Sequence, residues 1–186
     1  MDGKPDDVTG RRKSRISGQA YGDRAGAAGK VVYTLGTSTR TMEEFLDLLA
    51  LRGIARICDV RSFPTSSRYL HFNREVLAAS LREAGYDYRW LGETLGGYRK
   101  GGYEAHMRSR EFEEGMEELE RLAREMPTAV VCAELLPWKC HRRFIASALR
   151  QRGWRVVHVI DAERDWVPRE RPGTVPLLVD ESTRDK

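Results

Sequence analysis

From Val31 onwards, short runs of β-branched and other apolar residues alternate with segments whose apolar residues recur at helical spacing. This alternation is typical of strand–helix–strand units, because parallel neighbouring strands need a long crossover connection. The sequence therefore predicts a largely parallel sheet. The predicted strands are Val31 to Leu35, Ala55 to Val60, Asp87 to Leu91, Ala129 to Cys132 and Arg155 to Ile160.

Four segments between or beside these strands are predicted helices with ordinary start and stop signals. Thr41 and Glu44 have the spacing of a capping box, Asn73 is placed to cap the second helix, and the last helix is expected to begin near Cys140. The predicted inward-facing residues are Met42, Phe45, Leu46, Leu49, Val76, Leu77, Leu81, Phe112, Met116, Leu119, Leu122, Phe144, Ile145, Ala148 and Leu149. The resulting fold class is α/β, a compact three-layer, Rossmann-like domain with a mostly parallel sheet of about five strands.

Composition divides the chain into three parts. Residues 1–29 are rich in Gly, Asp, Arg and Ser and nearly lack large aliphatic side chains, so we expect a flexible basic tail. Residues 30–162 hold the predicted α/β domain. Residues 163–186 are a C-terminal extension in which only 175–179 could form another short strand.

Charge and cysteine usage narrow the class of protein. The net charge of +4 and pI near 9.1 favour an anionic partner, either nucleic acid or a small phosphorylated ligand. The chain has no run of about 20 apolar residues, so we expect no membrane partner. The first 30 residues carry charges of both signs and do not read as a signal peptide. Three cysteines form no disulfide framework, and we expect thiols in a cytoplasmic protein.

Polar residues collect directly after the predicted strands. Ligands of open parallel sheets bind beyond the carboxyl ends of the strands, so these residues are the candidate site. They are Ser38, Thr39 and Arg40 after the first strand, Asp59 and Arg61 after the second, and Glu134, Cys140, His141 and Arg142 after the fourth.

Two of these groups have alternative interpretations. Ser38 and Thr39 could present hydroxyls and backbone N–H groups to an anion at a helix start, or could serve as helix caps. Asp59 and Arg61 are two residues apart after a buried strand, so their side chains point to the same side. They could orient each other within a site, or form a structural ion pair that holds the following loop.

The segment from Cys132 to Arg142 is the most informative in the chain. A thiol at a helix start beside arginines has its thiolate favoured, because the helix end and the cations stabilise negative charge. Cys140 could therefore be a nucleophile, with His141 as acid or base and Glu134 as its orienting carboxylate or a general base.

Metal binding is an alternative use of the same residues. Cys132, Cys140 and His141 could be ligands, with Glu134 or Asp59 completing the site. The paired ligand spacing of structural zinc sites is absent, so the sequence predicts no metal. It also lacks the glycine patterns of dinucleotide and phosphate-loop sites, and no cofactor is predicted.

The glycine-rich stretch from Gly92 to Gly102 is a basic loop whose Arg99 could close over a phosphate. The preceding loop adds Arg61, Arg68, Tyr69 and His71, and cations beside aromatic rings are typical of single-stranded nucleic-acid binding. His158 alternates within an apolar strand and is predicted to lie in the core. His106 is predicted to lie on the surface.

The strand-end motifs occur together in a known family. They are Gly36, Ser38, Thr39 and Arg40; Asp59 to Pro64; His71 to Asn73; Leu95, Gly96, Gly97 and Arg99; and Cys132, Ala133, Glu134, Pro137, Cys140, His141 and Arg142. With these motifs the chain from about Val31 to Ile160 resembles the bacterial and archaeal family called domain of unknown function 488. The resemblance implies a compact α/β fold and brings no established reaction.

The leading hypothesis is a phosphate-binding or nucleic-acid-binding protein whose strand-end pocket performs an enzymatic step. This hypothesis gives the candidate residues three different roles. Arg61, Arg99 and Arg142 would bind the anion together with the first loop, Asp59 and Glu134 would orient or activate, and Cys140 and His141 would react. One alternative is a thiol-dependent enzyme or a redox or sulfur-transfer protein that uses Cys140. The other is a binding module without turnover.

Overall fold

A computed structural model describes residues 30–168, in which one six-stranded sheet is the central layer. The spatial order of the strands is β3-β2-β4-β1-β5-β6, and every neighbouring pair is parallel except β5 and β6. The five predicted strands are confirmed, and the two-residue edge strand β6 was too short for a sequence pattern. The strands are β1 (Val31–Gly36), β2 (Arg56–Asp59), β3 (Asp87–Trp90), β4 (Thr128–Cys132), β5 (Arg155–Val159) and β6 (Asp165–Trp166).

Helices cover both faces of the sheet. α1 and α2 share one buried cluster with Ile57 and Val131, whereas the other helices share a second cluster with Cys58 and Val130 on the opposite face. This arrangement confirms the three-layer α/β prediction. The helices are α1 (Met42–Leu51), α2 (Arg74–Glu83), α3 (Gly92–Leu95), α4 (Tyr103–His106), α5 (Arg110–Glu125) and α6 (Arg142–Gln151).

Some of the predicted helix caps and inward-facing residues are confirmed, and others are wrong. Thr41 and Glu44 form the predicted capping box. Asn73 occupies the N-cap position of α2, but its side-chain oxygen accepts from the backbone N–H of Ser66 and does not cap the helix. Val76 was predicted to face inwards and is instead exposed, while Leu77 and Leu81 form the buried face of α2.

α6 begins at Arg142, near Cys140 as predicted, after a 3₁₀ turn at Pro137–Lys139 and extended backbone at Cys140. One further prediction was wrong because of local packing. His106 is buried and not on the surface, because its Nε2 donates to the carbonyl of Thr94 at 2.7 Å.

The chain leaves β1 and β4 on opposite faces of the sheet. These two strands are neighbours and end side by side, with Gly36 paired to Cys132. β1 leads into α1 on one face and β4 leads into α6 on the other, so the connections diverge and open a gap above the strand ends. Such a topological switch point is where ligands bind in open α/β sheets.

Some sequence predictions fall on parts of the chain that lie outside the described residues. These are the flexible basic tail of residues 1–29 and the further strand at 175–179. Among the described residues, no helix combines the length and the apolar composition needed to cross a bilayer.

His158 lies in the core, as predicted. It is 2% exposed, its Nδ1 is 2.6 Å from the hydroxyl oxygen of Thr34, and its ring stacks on Trp166. Burial lowers the pKa of His158 to about 4, and the positive charges of Arg142 and Arg150 act in the same direction. The folded protein therefore holds His158 neutral at pH values where the unfolded chain is already protonated.

We expect this histidine to make folding sensitive to mild acid. Its contribution is intact above pH 6.5, the ordinary pKa, and is lost as the pH falls from 6.5 towards 4, because the unfolded state takes up the proton first. The expected loss is about 3 kcal/mol. Urea denaturation at several pH values checks it against the double variant Thr34→Val with His158→Leu. Parallel pH dependences for the two proteins would contradict the expectation.

Candidate functional site

A crevice of about 840 Å³ opens at the switch point between β1 and β4. It is bordered by the loop after β1, the loop after β2, Gly97 and Tyr98, and the residues that follow β4. A second cavity, of about 550 Å³, lies on the other side of Ser38, Thr39 and Leu135. The crevice is therefore assembled from four segments that are distant in sequence.

Three chemically reactive side chains meet at the crevice. The sulfur atoms of Cys132 and Cys140 and a ring nitrogen of His141 all lie within 4.8 Å of one another. Cys132 ends β4, Cys140 follows the 3₁₀ turn, and His141 directly precedes α6. We call these residues the thiol–imidazole cluster. Cys132 and His141 border the crevice.

The imidazole of His141 is held in one orientation. Its Nε2 lies 2.9 Å from the carbonyl oxygen of Val60, which can only accept, so Nε2 carries the ring proton. Nδ1 is then the unprotonated nitrogen, and it lies 3.7 Å from the sulfur of Cys132. Burial lowers the pKa of His141 to about 4, so this nitrogen keeps its free electron pair at neutral pH.

Two neighbours pack directly on this ring. Tyr103 lies with its ring centroid 5.2 Å from that of His141. On another side the backbone of Gly97 approaches so closely that a Cβ there would lie 2.4 Å from Nδ1. Gly97 is therefore needed for the close approach of the glycine-rich loop to the histidine.

The two thiols differ electrostatically. A hydrogen bond with Cys132 lowers the pKa of Cys140, and Arg142, whose Nε donates to the Cys140 sulfur at 3.3 Å, lowers it further. The same hydrogen bond and burial raise the pKa of Cys132. Of the two thiols, Cys140 is therefore the one whose thiolate form is favoured. Cys58 is different, since burial raises its pKa to about 12 within the core.

Arg142 is directed into the protein. It is 1% exposed and its Nη2 donates to the carbonyl oxygens of Glu134 and Leu135 at 2.5 and 3.2 Å. The guanidinium thus holds the loop after β4 and balances the charge of Cys140. It is not brought to the crevice, where sequence analysis placed it as an anion ligand.

Asp59 and Arg61 form a buried ion pair. The carboxylate of Asp59 is 0% exposed and accepts hydrogen bonds from the Arg61 side chain and backbone and from the hydroxyl of Tyr88. Arg61 also donates to the carbonyl of Phe72 at 2.9 Å. This geometry matches the structural alternative, with the pair holding the loop after β2.

The other predicted cations also have internal partners. Arg40 donates to the carbonyls of Gly36 and Ile160, and Arg99 donates to those of Glu93 and Gly96 and pairs with Glu111. Neither side chain borders the crevice, whereas Ser38 and Thr39 do.

Glu134 is placed at the crevice with its carboxylate accessible. The residue is exposed, and within residues 30–168 its side chain makes no hydrogen bond or ion pair. Of the four residues predicted to be catalytic, Glu134 and His141 border the crevice, Cys140 lies behind Cys132 in the cluster, and Asp59 is separated from it by its ion pair with Arg61.

Sequence analysis missed an aromatic pair that borders the crevice. The rings of Phe63 and Tyr98 have centroids 5.8 Å apart at an angle of 59°, and the residues are 70% and 80% exposed. The backbone N–H of Tyr98 donates to the hydroxyl of Ser62, which joins the two loops that carry the rings. The only available signal was the presence of an aromatic residue in each of two loops.

One comparison with known proteins identifies a family, and none identifies a reaction. The family described as Domain of unknown function DUF488 matches residues 41–149. Neither a curated protein nor a solved structure matches the chain.

Proposed function

The chain belongs to the family Domain of unknown function DUF488, and on that premise we propose that it is an enzyme acting on a nucleobase-bearing ligand in the crevice. A nucleobase would stack against Phe63 and Tyr98 and reach inwards to the thiol–imidazole cluster. A free nucleotide and a single-stranded segment share this chemistry.

The observation that carries the proposal is the exposed ring pair beside a polar crevice. Single exposed apolar residues are normal, but Phe63 and Tyr98 are two rings on separate loops that face one cavity. Bases stack on such rings regardless of sequence, because every base has a π-face. A flat heterocycle is therefore the ligand class that this edge of the crevice suits.

The rest of the crevice suits the polar edges of a base and a sugar. Ser38, Thr39, Thr65 and Ser66, which carry hydroxyls, border it together with Glu134. Its volume of about 840 Å³ falls within the range of about 300 to 1,000 Å³ that is usual for small-ligand sites.

The internal engagement of the arginines favours base recognition over tracking of a phosphate backbone. The guanidiniums of Arg40, Arg61, Arg99 and Arg142 all bond to carbonyls, carboxylates or sulfur within the fold. A protein that neutralises many phosphates shows a steep salt dependence, through counterion release. We therefore expect binding that persists at about 0.15 M salt.

Replacing Phe63 or Tyr98 with alanine is expected to weaken binding of a nucleobase-bearing ligand by roughly 5- to 150-fold, because base stacking contributes about 1 to 3 kcal/mol per base. Fluorescence anisotropy with labelled single-stranded DNA, RNA and duplex DNA at low and at about 0.15 M salt measures this effect. Unlabelled mononucleotides used as competitors separate a free nucleotide from a polymer.

Leu70→Ala is the matched control, since Leu70 is also an exposed apolar residue of the loop after β2 but does not border the crevice. Its binding should equal that of the unmodified protein. The proposal fails if no nucleobase-bearing ligand binds above a salt-sensitive background, or if Leu70→Ala and Phe63→Ala reduce binding equally.

A further inference from the structure

We propose that Cys132, Cys140 and His141 bind one Zn²⁺ ion, with a fourth coordination position that opens to the crevice. The inference rests on the proposed function only in that both use this crevice. Zinc binding is measured without any nucleobase, so the two can fail separately.

The ligand types and their spacing fit zinc. Thiolate sulfur and imidazole nitrogen are its usual protein ligands, at about 2.3 Å and about 2.0 to 2.1 Å. Tetrahedral angles at these lengths place sulfur and nitrogen about 3.6 Å apart. The Cys132 sulfur and the His141 Nδ1 are 3.7 Å apart. The Cys140 sulfur lies within 4.8 Å of both, so a small rotation of one side chain completes the triangle.

The surroundings of the histidine are those of a metal ligand. A ligating imidazole usually donates its other ring N–H to a carboxylate or a backbone carbonyl, which fixes the tautomer. His141 does so at the carbonyl of Val60, and this leaves Nδ1 unprotonated on the side of Cys132. Gly97 and Tyr103 pack on the ring and hold this orientation before any ion binds.

The charge around the cluster also suits a divalent ion. Two thiolates neutralise the charge of Zn²⁺. The buried guanidinium of Arg142 donates to the Cys140 sulfur, so one positive charge remains beside the site. The fourth position would therefore favour an anionic or polarised oxygen, such as hydroxide or a substrate carbonyl.

The open side of the cluster faces the place where a reaction could occur. Cys132 and His141 both border the crevice, as does the accessible carboxylate of Glu134. Zinc sites with three protein ligands keep an exchangeable fourth position and bind water there with a lowered pKa. Glu134 would be the group that accepts a proton from such a water.

The test is metal content and affinity of the full chain. After incubation with ZnCl₂ and removal of free ions, elemental analysis should find one zinc per chain. Competition with a chromophoric chelator should show that Cys132→Ser and Cys140→Ser each weaken zinc binding by roughly 100-fold or more. This loss exceeds the one expected for a residue that contacts a zinc ligand without binding the ion. Cys58→Ala is the matched control and should bind zinc normally, because Cys58 lies in the core outside the cluster.

Alkylation of the unmodified protein gives a second measurement that does not depend on the folding of a variant. Zinc should slow the labelling of Cys132 and Cys140, and a chelator should restore it. The inference is overturned if the protein takes up less than stoichiometric zinc, or if zinc leaves the labelling of both cysteines unchanged. In that case the cluster is a thiol pair. If the protein binds zinc but Phe63→Ala does not weaken binding of a nucleobase-bearing ligand, only the proposed function is wrong.

Discussion

Asp59→Ala is expected to lower the free energy of unfolding by about 3 to 5 kcal/mol, because it leaves the buried guanidinium of Arg61 without its counter-charge. Arg61 is 6% exposed, and the Asp59 carboxylate is its only acidic partner among the described residues. Domains are stable by only about 5 to 15 kcal/mol, so this single change removes a large share of the total. Urea denaturation, with the midpoint and slope fitted separately, measures it.

Tyr88→Phe is the matched control for this prediction. It removes one hydrogen bond to the same carboxylate and leaves the ion pair intact, so the expected cost is about 1 kcal/mol. A loss of less than about 1 kcal/mol for Asp59→Ala would mean that Arg61 finds water or another acceptor. The structural interpretation of the pair would then be wrong.

Gly36→Ala is expected to cost about 3 kcal/mol or more, because the crossing of the chain at the switch point leaves no room for a side chain. A Cβ at Gly36 would lie 2.1 Å from the carbonyl oxygen of Glu134 and 2.9 Å from the Cα of Leu135. Both are backbone atoms, so relief requires the strand end of β1 or the loop after β4 to move. Because that loop carries the cluster, zinc affinity should fall as well.

Gly85→Ala separates this steric effect from conformational strain. Gly85 has a φ of +87° after α2, but nothing lies within 4 Å of its added Cβ. Its expected cost is about 1 kcal/mol, from the left-handed backbone alone. Equal losses for the two variants would show that backbone conformation, and not contact with Glu134, explains the glycine at position 36. Urea denaturation of both proteins at one pH decides between these explanations.

Some site predictions depend on contacts between segments that are distant in sequence. Cys140 and His141 are adjacent in sequence, yet the second sulfur of the cluster comes from the end of β4, and the carbonyl that orients His141 belongs to Val60, 81 residues away. Arg142 follows them directly and points into the protein, where it binds the carbonyls of its own loop. Adjacency in sequence therefore did not predict which of these side chains borders the crevice.

The sequence by itself determined the five parallel strands, most of the buried helix faces and the edge of the sheet at which polar residues collect. These properties depend on periodicity within about ten residues and on the parallel arrangement that such periodicity implies. Phe112, Met116 and Leu119 are buried as predicted for this reason, and so is His158.

Only the tertiary structure decided which of the polar groups at the strand ends are accessible to a ligand. Asp59 and Arg61 satisfy each other, while Glu134 is left accessible at the crevice. Phe63 and Tyr98 come together from loops 35 positions apart. The physical reason is that a buried charge or N–H must find a partner wherever packing provides one, and that partner is set by contacts between distant segments.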